Sequence, residues 1–475
     1  MTKIESFQYK NGFQMIHQKS TQQLPLCSFY IFCNVGSSNE TDALRGIAHF
    51  LEHMIFQSSQ NNDNTQALYE QYDKMGTQMN AITTKRYTCY YVTCPEEYAE
   101  SVLALFSIML NDSKFPQERV TDEFYVIKEE NARLLEDHVL QAQELFESKL
   151  YKHSSFEEPI DHIRFQERQK SMDYDELVRW YNWFYVPSNM TISIVSQKSI
   201  QHWKRILHDK TKFTTKNTHH NNNKQNRPLY ALDKPIQSFP YTSTVEYVVS
   251  QDKSSTHTQC IVGFRTVNHY SDKKHIFDLL THVLNGMSAR LFRILRQKHQ
   301  LVYSVQSVTE HSEFVGYFSI QTECSNRYLL YNQKREKRGV LYHILTIFRQ
   351  LALEGISAKE LSVGKDRMKS SIQIEAENLG TIGKHNGEMH IIHVQANAAN
   401  SSHNQKPAIV SYLDMYKEHY ESITIEQINY AIREYFQKDR MVVSIVSKDP
   451  PNVNHLRKTC NRYFASNRTR KNKNL

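Results

Sequence analysis

The densest chemistry in this 475-residue chain lies in the segment ETDALRGIAHFLEHMIF, residues 40–56. Within it, His49, Glu52 and His53 form the pattern H-x-x-E-H. Apolar Ile47, Phe50, Leu51, Met54 and Ile55 recur at helical spacing and predict an amphipathic helix, with Thr41 or Asp42 placed to cap it. At about 100° per residue, the three polar side chains leave that helix on the side away from the apolar stripe. Two imidazoles one turn apart reach a single tetrahedral Zn²⁺ at ~2.0–2.1 Å each. Glu52, one residue before the second histidine, then stands where it can take a proton from a water on the ion. With 23 histidines in the chain, the same trio on a merely solvated face is the plain alternative. A third ligand decides between them.

An acid on a second helix would supply it, and PQERVTDEFYVIKEENARLLEDH (116–138) predicts such a helix, opened by Pro116. Glu123 and Glu130 are two turns apart, so their side chains project within about 20° of each other. Both flank the stripe of Phe124, Ile127, Leu134 and Leu135, whereas Glu129 points about 100° away from Glu130. An acid at a core boundary is costly unless it is paired or holds a metal. We assign Glu130 as the third ligand and Glu123 as a carboxylate orienting a histidine or the water. An ion pair with a nearby Lys or Arg stays open for Glu123.

Composition narrows the function classes. The formal net charge is +8, but residues 456–475 hold seven Lys/Arg and no acid, and residues 198–229 hold eight against Asp209 alone. The rest of the chain carries 43 basic and 49 acidic residues, so its field is not positive. A nucleic-acid binder places its basic charge on a folded face, which argues against that role. Mean hydropathy is −0.62 and no apolar run approaches the ~20 residues of a membrane span. The start, MTKIESFQYKNGF, lacks an apolar stretch and carries Glu5, which disfavours a signal or transit peptide. Seven cysteines without a C-x-x-C, two of them (Cys27 and Cys33) sharing a strand face with Phe29 and Ile31, predict core thiols in a reducing compartment. The expected location is cytoplasmic.

The chain also repeats itself. MDYDELVRWYNWFYVPSNMTISIVSQ (172–197) and ITIEQINYAIREYFQKDRMVVSIVSK (423–448) both read as a helix followed by a strand, 251 positions apart. More loosely, a helix, two strands and a helix over 67–112 echo the same order over 289–354. The polar tract TKNTHHNNNKQNRP (215–228) marks a linker, and its His219 and His220 are read as solvated. The expected organisation is α+β: two tandem homologous αβ domains, each a sheet packed with helices, at 1–212 and 230–455. The linker is placed at 213–229 and a basic tail at 456–475. Only the first half carries H-x-x-E-H, so one metal per chain is expected. His390 and His393 lack an evident third ligand and are read as structural.

H-F-L-E-H followed at a distance by Glu130 resembles the inverted-zinc-motif peptidases of the pitrilysin/insulinase family. V-G-S-S-N-E (35–40), M-N-A-I-T-T (79–84) and LNGMSARLFRILRQKHQLVYSV (284–305) extend the similarity over the whole chain. It is greatest to the short-chain subfamily typified by the mitochondrial processing peptidase. The resemblance implies a half-clamshell fold and a zinc metalloendopeptidase cleaving peptides or unfolded segments in an enclosed chamber. It implies His49, His53 and Glu130 as zinc ligands and Glu52 as the base activating a zinc-bound water. It also implies that Asn80 and Ala81 bind an extended peptide by strand addition, and that Arg296 and Tyr303 contact substrate and steady the intermediate. A homodimer is expected, each site completed by the partner's second half, or a heterodimer with a related subunit. Relatives that serve as non-catalytic core proteins of respiratory complexes supply the rival reading.

Overall fold

The structure, a computed structural model, describes residues 3–57, 65–76, 78–134, 136–160, 172–215, 246–332, 337–399 and 409–461. The strands are β1 (Ile4–Gln8), β2 (Gln14–Lys19), β3 (Leu26–Cys33), β4 (Gln78–Thr83), β5 (Thr88–Pro95) and β6 (Met190–Ser196), then β7 (Glu246–Gln251), β8 (His257–Thr266), β9 (Val302–His311), β10 (Gly316–Ser325), the short β11 (Tyr331–Asn332) and β12 (Lys337–Arg338), and β13 (Met441–Ser447). The helices are α1 (Ile47–Gln57), α2 (Thr65–Lys74), α3 (Ala99–Asn111), α4 (Gln117–Leu134), α5 (His138–Leu150), α6 (Tyr174–Phe184) and α7 (Ile200–Lys210). They continue with α8 (Lys274–Leu284), α9 (Val340–Glu354), α10 (Ala358–Glu375), α11 (Leu379–Ala399) and α12 (Ile425–Tyr435). The chain is α+β, as its sequence pattern predicts.

Two compact units form: Met1–Arg133 with Glu158–Lys234 and Ile372–Met415, and Leu134–Glu157 with Pro235–Ser371 and Tyr416–Leu475. The first holds a sheet of order β1-β2-β6-β3-β5-β4. The second holds a sheet of order β7-β13-β8-β10-β9. Strand for strand these match once β1 is set aside: β2 runs parallel to β6 as β7 does to β13, and the other pairings are antiparallel in both. The clearest repeat is also exact in its bounds, since α6 with β6 and α12 with β13 begin and end 251 positions apart.

Neither unit is one consecutive stretch. Helix α5 lies along β13 and β8 in the second unit, whereas α11 lies along β3 and β6 in the first. The sequence shows why α11 fits so closely. Gly387 offers no Cβ where one would run into the Phe32 ring, and Gly383 meets Tyr30 in the same way. Helix α11 is then fastened by polar contacts: Asn386 Nδ2 donates to Gln18 Oε1 at 2.9 Å, and the Tyr87 hydroxyl donates to Glu388. His390 meets Gln14 and so has a structural partner; the side chain of His393 lies outside the described residues, as do His219 and His220.

The first unit's core lies on the other face of its sheet. Cys27, Phe29, Ile31 and Cys33 from β3 pack there against Ile47, Phe50, Leu51, Met54 and Ile55 of α1, the very stripe that the spacing predicts. All seven cysteines are unpaired and buried. Among the described residues no helix is long and apolar enough to cross a membrane.

One polar cluster in the second unit carries a stability prediction. On α8, Asp278 Oδ1 lies 3.0 Å from His311 Nε2, and Oδ2 lies 3.2 Å from the Tyr420 hydroxyl and 3.6 Å from His275 Nδ1. Burial alone would push this carboxyl up, but the neighbouring imidazoles of His275 and His311, the second of them hydrogen-bonded to it, hold it below the usual carboxylate range. A depressed acid stabilises the fold above its unfolded pKa of about 4, and that contribution fades as pH falls below it. Asp278→Asn should therefore cost roughly 1–3 kcal/mol at neutral pH. Thermal unfolding across pH checks this: the gap between wild type and variant should close below about pH 4.

Candidate active site

Helix α1 begins later than the sequence suggests. Gly46 adopts φ 88°, a left-handed conformation that ends the preceding turn, and the helix proper starts at Ile47. The acceptor for its first turn is Glu40, rather than Thr41 or Asp42. Glu40 is buried; its carboxylate accepts from Gly46 N and Ala48 N, each at 2.9 Å, while Asp42 turns outward to Arg45 at 3.1 Å. Burial pushes the Glu40 carboxyl up to about 8, against the pull of those two backbone donors. The acid thus anchors the helix that carries His49, Glu52 and His53.

Those side chains meet Glu130. Ligand atoms of His49, His53 and Glu130 all lie within 4.8 Å of one another, the one such group found among the described residues. His53 Nε2 is 3.1 Å from His49 Nε2 and 3.4 Å from Glu130 Oε2. Atoms bound to a tetrahedral ion at ~2.0–2.1 Å stand ~3.3–3.4 Å apart, so these spacings suit Zn²⁺. Glu123 reinforces the reading. Its Oε1 lies 2.7 Å from His53 Nδ1, so that nitrogen donates to the carboxylate and Nε2 presents its lone pair to the cluster. Two imidazole lone pairs aimed at each other and at a carboxylate repel unless a proton or cation sits between them. The donor set, N, N and O from three side chains, fits a catalytic rather than a four-ligand structural zinc site.

Glu52 is buried on the same helix and is not in that group; Thr83 Oγ1 donates to its Oε2 at 2.5 Å. Sequence reasoning did not single out three residues here. Thr83 lies in the quoted stretch M-N-A-I-T-T and Glu40 in V-G-S-S-N-E, with nothing in either type or spacing to show what they hold. Gln57, whose Nε2 donates to Glu123 Oε2 at 2.7 Å, had a signal: it sits one turn after His53 on the same helix face.

Asn80 and Ala81 lie on β4, the last strand of the first unit's sheet. Asn80 is exposed, and its own Oδ1 accepts from Ala81 N at 2.8 Å. Arg296 and Tyr303 belong to the second unit, where the structure brings them together. The guanidinium sits 4.7 Å from the centre of the phenol ring, Arg296 Nη1 donates to Val302 O at 3.0 Å, and Tyr303 is 80% exposed.

Two matched sheet-and-helix units, one of them bearing a His-His-carboxylate cluster that could hold a metal ion, define a two-domain protein with one candidate metal site among the described residues. The chain belongs to the insulinase family: residues 15–162 match the family model described as Insulinase (Peptidase family M16), and residues 171–368 match Peptidase M16 inactive domain. It is 24% identical over 444 residues to the Bacillus subtilis (strain 168) protein named Uncharacterized zinc protease YmxG, covering 92% of this chain and 96% of that one. It is 32% identical over 120 residues, 25% of this chain and 24% of the other, to the mitochondrial ubiquinol-cytochrome-c reductase complex core protein I of Euglena gracilis. Its fold is similar to that of a Helicobacter pylori protease, with a TM-score of 0.78 at 16% identity, covering 94% of this chain and 100% of that one.

Proposed function

We propose that this chain is a zinc-dependent metalloendopeptidase acting on peptides or unfolded polypeptide segments. The observation that carries the reading is the convergence of His49, His53 and Glu130, with Glu52 buried beside them and outside the ligand set. His49, His53 and Glu130 would hold one Zn²⁺. When bound, it supplies Lewis acidity, polarising the scissile carbonyl and acidifying water. Glu123 fixes the tautomer and ring orientation of His53, and Gln57 fixes Glu123. Glu52 accepts a proton at its carboxylate from the attacking water and later passes it to the leaving amine. The open edge of β4 favours an extended backbone: a substrate carbonyl would take over the Ala81 N–H that Asn80 Oδ1 occupies. Backbone pairing of this kind tolerates many sequences. Arg296 and Tyr303 offer a guanidinium and a phenol as donors to substrate or to a developing oxyanion. The seven unpaired cysteines agree with a reducing compartment such as the cytoplasm.

The core-protein relative supports one rival, a non-catalytic assembly subunit of the same fold. Incubating the purified chain with a set of unstructured fluorogenic peptides separates the two. Hydrolysis that stops with a chelator and returns with Zn²⁺ supports the peptidase, and no hydrolysis of any peptide at saturating Zn²⁺ overturns it. We further propose that the chain works as a homodimer. Light scattering on a size-exclusion column should give twice the 56.0 kDa chain mass, and a strictly monomeric active species would refute it.

A further inference from the structure

We propose that Thr83 is a positioning residue for Glu52, an inference that rests on the peptidase reading. The inward face of β4 is Met79, Ala81 and Thr83, and this face meets α1; Asn80 and Ile82 point the other way and are exposed. Thr83 is buried and is the last residue of β4, in register with Thr88 of β5. Its branched Cβ restricts χ1, so the hydroxyl is aimed by the strand itself and not by a free rotor. An ionised carboxylate only accepts, so Thr83 Oγ1 must donate in its 2.5 Å contact with Glu52 Oε2. A short charge-assisted bond to one oxygen fixes the carboxylate plane relative to the His49–His53 face. The base therefore meets its reaction partner in one orientation, which is the condition for efficient proton transfer. The same residue also sits two positions beyond Ala81, on the strand whose edge is proposed to bind substrate. One strand thus lines up both the peptide backbone and the base.

The corresponding strand end of the second unit makes a comparable contact. His311 is the last residue of β9, in register with Gly316 of β10, and it grips Asp278 of α8 at 3.0 Å. A purely structural strand-to-helix tie is therefore the alternative that a test must separate from positioning.

Three measurements do so: steady-state kinetics, the zinc dissociation constant by chelator competition, and the thermal midpoint. Thr83→Val keeps the shape and removes the donor, and should lower kcat about 10- to 100-fold with KM within about twofold. Thr83→Ser restores the donor and should recover most of kcat. The zinc dissociation constant should stay within about twofold in both, because the ligands are untouched. Wild-type kcat in Thr83→Val, or equal loss in the Val and Ser variants, overturns the inference. So does a kcat loss that follows a weakened zinc affinity or a collapsed thermal midpoint. If the wild type cleaves peptides and Glu52→Gln does not, but Thr83→Val is unaffected, only this inference falls. If the wild type cleaves nothing, the peptidase reading falls and takes this with it.

Discussion

Glu52→Gln should abolish peptide hydrolysis while leaving zinc in place. Gln keeps the length and volume of the side chain, and its amide oxygen still accepts from Thr83 Oγ1, so the packing of α1 is preserved. What it lacks is a site that can accept a proton at neutral pH. General-base catalysis is worth 10²–10⁴-fold, so kcat should fall by about 10³, or roughly 4 kcal/mol in the barrier. KM should move little, because Glu52 is buried and serves the transition state more than substrate binding. Zinc content should match that of the wild type, since Glu52 is not among the grouped donors. Steady-state kinetics paired with elemental analysis reads both quantities on one preparation. A variant that retains most of its kcat would remove Glu52 from the mechanism.

The second large effect concerns the ligands and their support, and it should be graded. His53→Ala removes a donor from a three-donor group, and Glu130→Gln replaces its one anionic donor by a neutral amide oxygen. They should lower zinc affinity more than any supporting change, and hydrolysis should disappear at limiting zinc. Glu123→Gln removes the negative charge that accepts from His53 Nδ1 at 2.7 Å, leaving the ligand in place but less basic and less firmly oriented. Such outer partners cost 10–100-fold in metal affinity or activity. Chelator competition should thus rank the wild type above Glu123→Gln, and Glu123→Gln above Glu130→Gln and His53→Ala. An ordering with Glu123→Gln weaker than Glu130→Gln would mean that the acids have exchanged roles.

Much of this arrangement is legible in the sequence because helical periodicity fixes angles. The stripe from Ile47 to Ile55 gives the buried face of α1, and that places His49 and His53 together. The seven-residue spacing of Glu123 and Glu130 puts both acids on one side of α4, where the structure has them flanking His53. The repeat of α6–β6 in α12–β13 is legible for the same reason: the same burial pattern needs the same residues. What escapes is what periodicity does not encode. Helical periodicity declares at most which face a helix buries and not which sheet will bury it, so the placements of α5 and α11 are invisible until the sheets exist. Glu40 reads as an ordinary loop acid, because its worth comes from Gly46 turning the chain so that two backbone donors face it. Thr83 reads as strand material, since its register at the end of β4 decides that its hydroxyl meets Glu52.

Two imidazoles from α1 and one carboxylate from α4 should bind a single ion, and zinc stoichiometry reads this out. Chains saturated with Zn²⁺, freed of loose metal and analysed for bound element should carry one equivalent, and a double His49→Ala, His53→Ala chain that still folds should carry almost none. A wild-type chain that retains no zinc, or a double variant that retains a full equivalent, would mean that these residues do not form a zinc site.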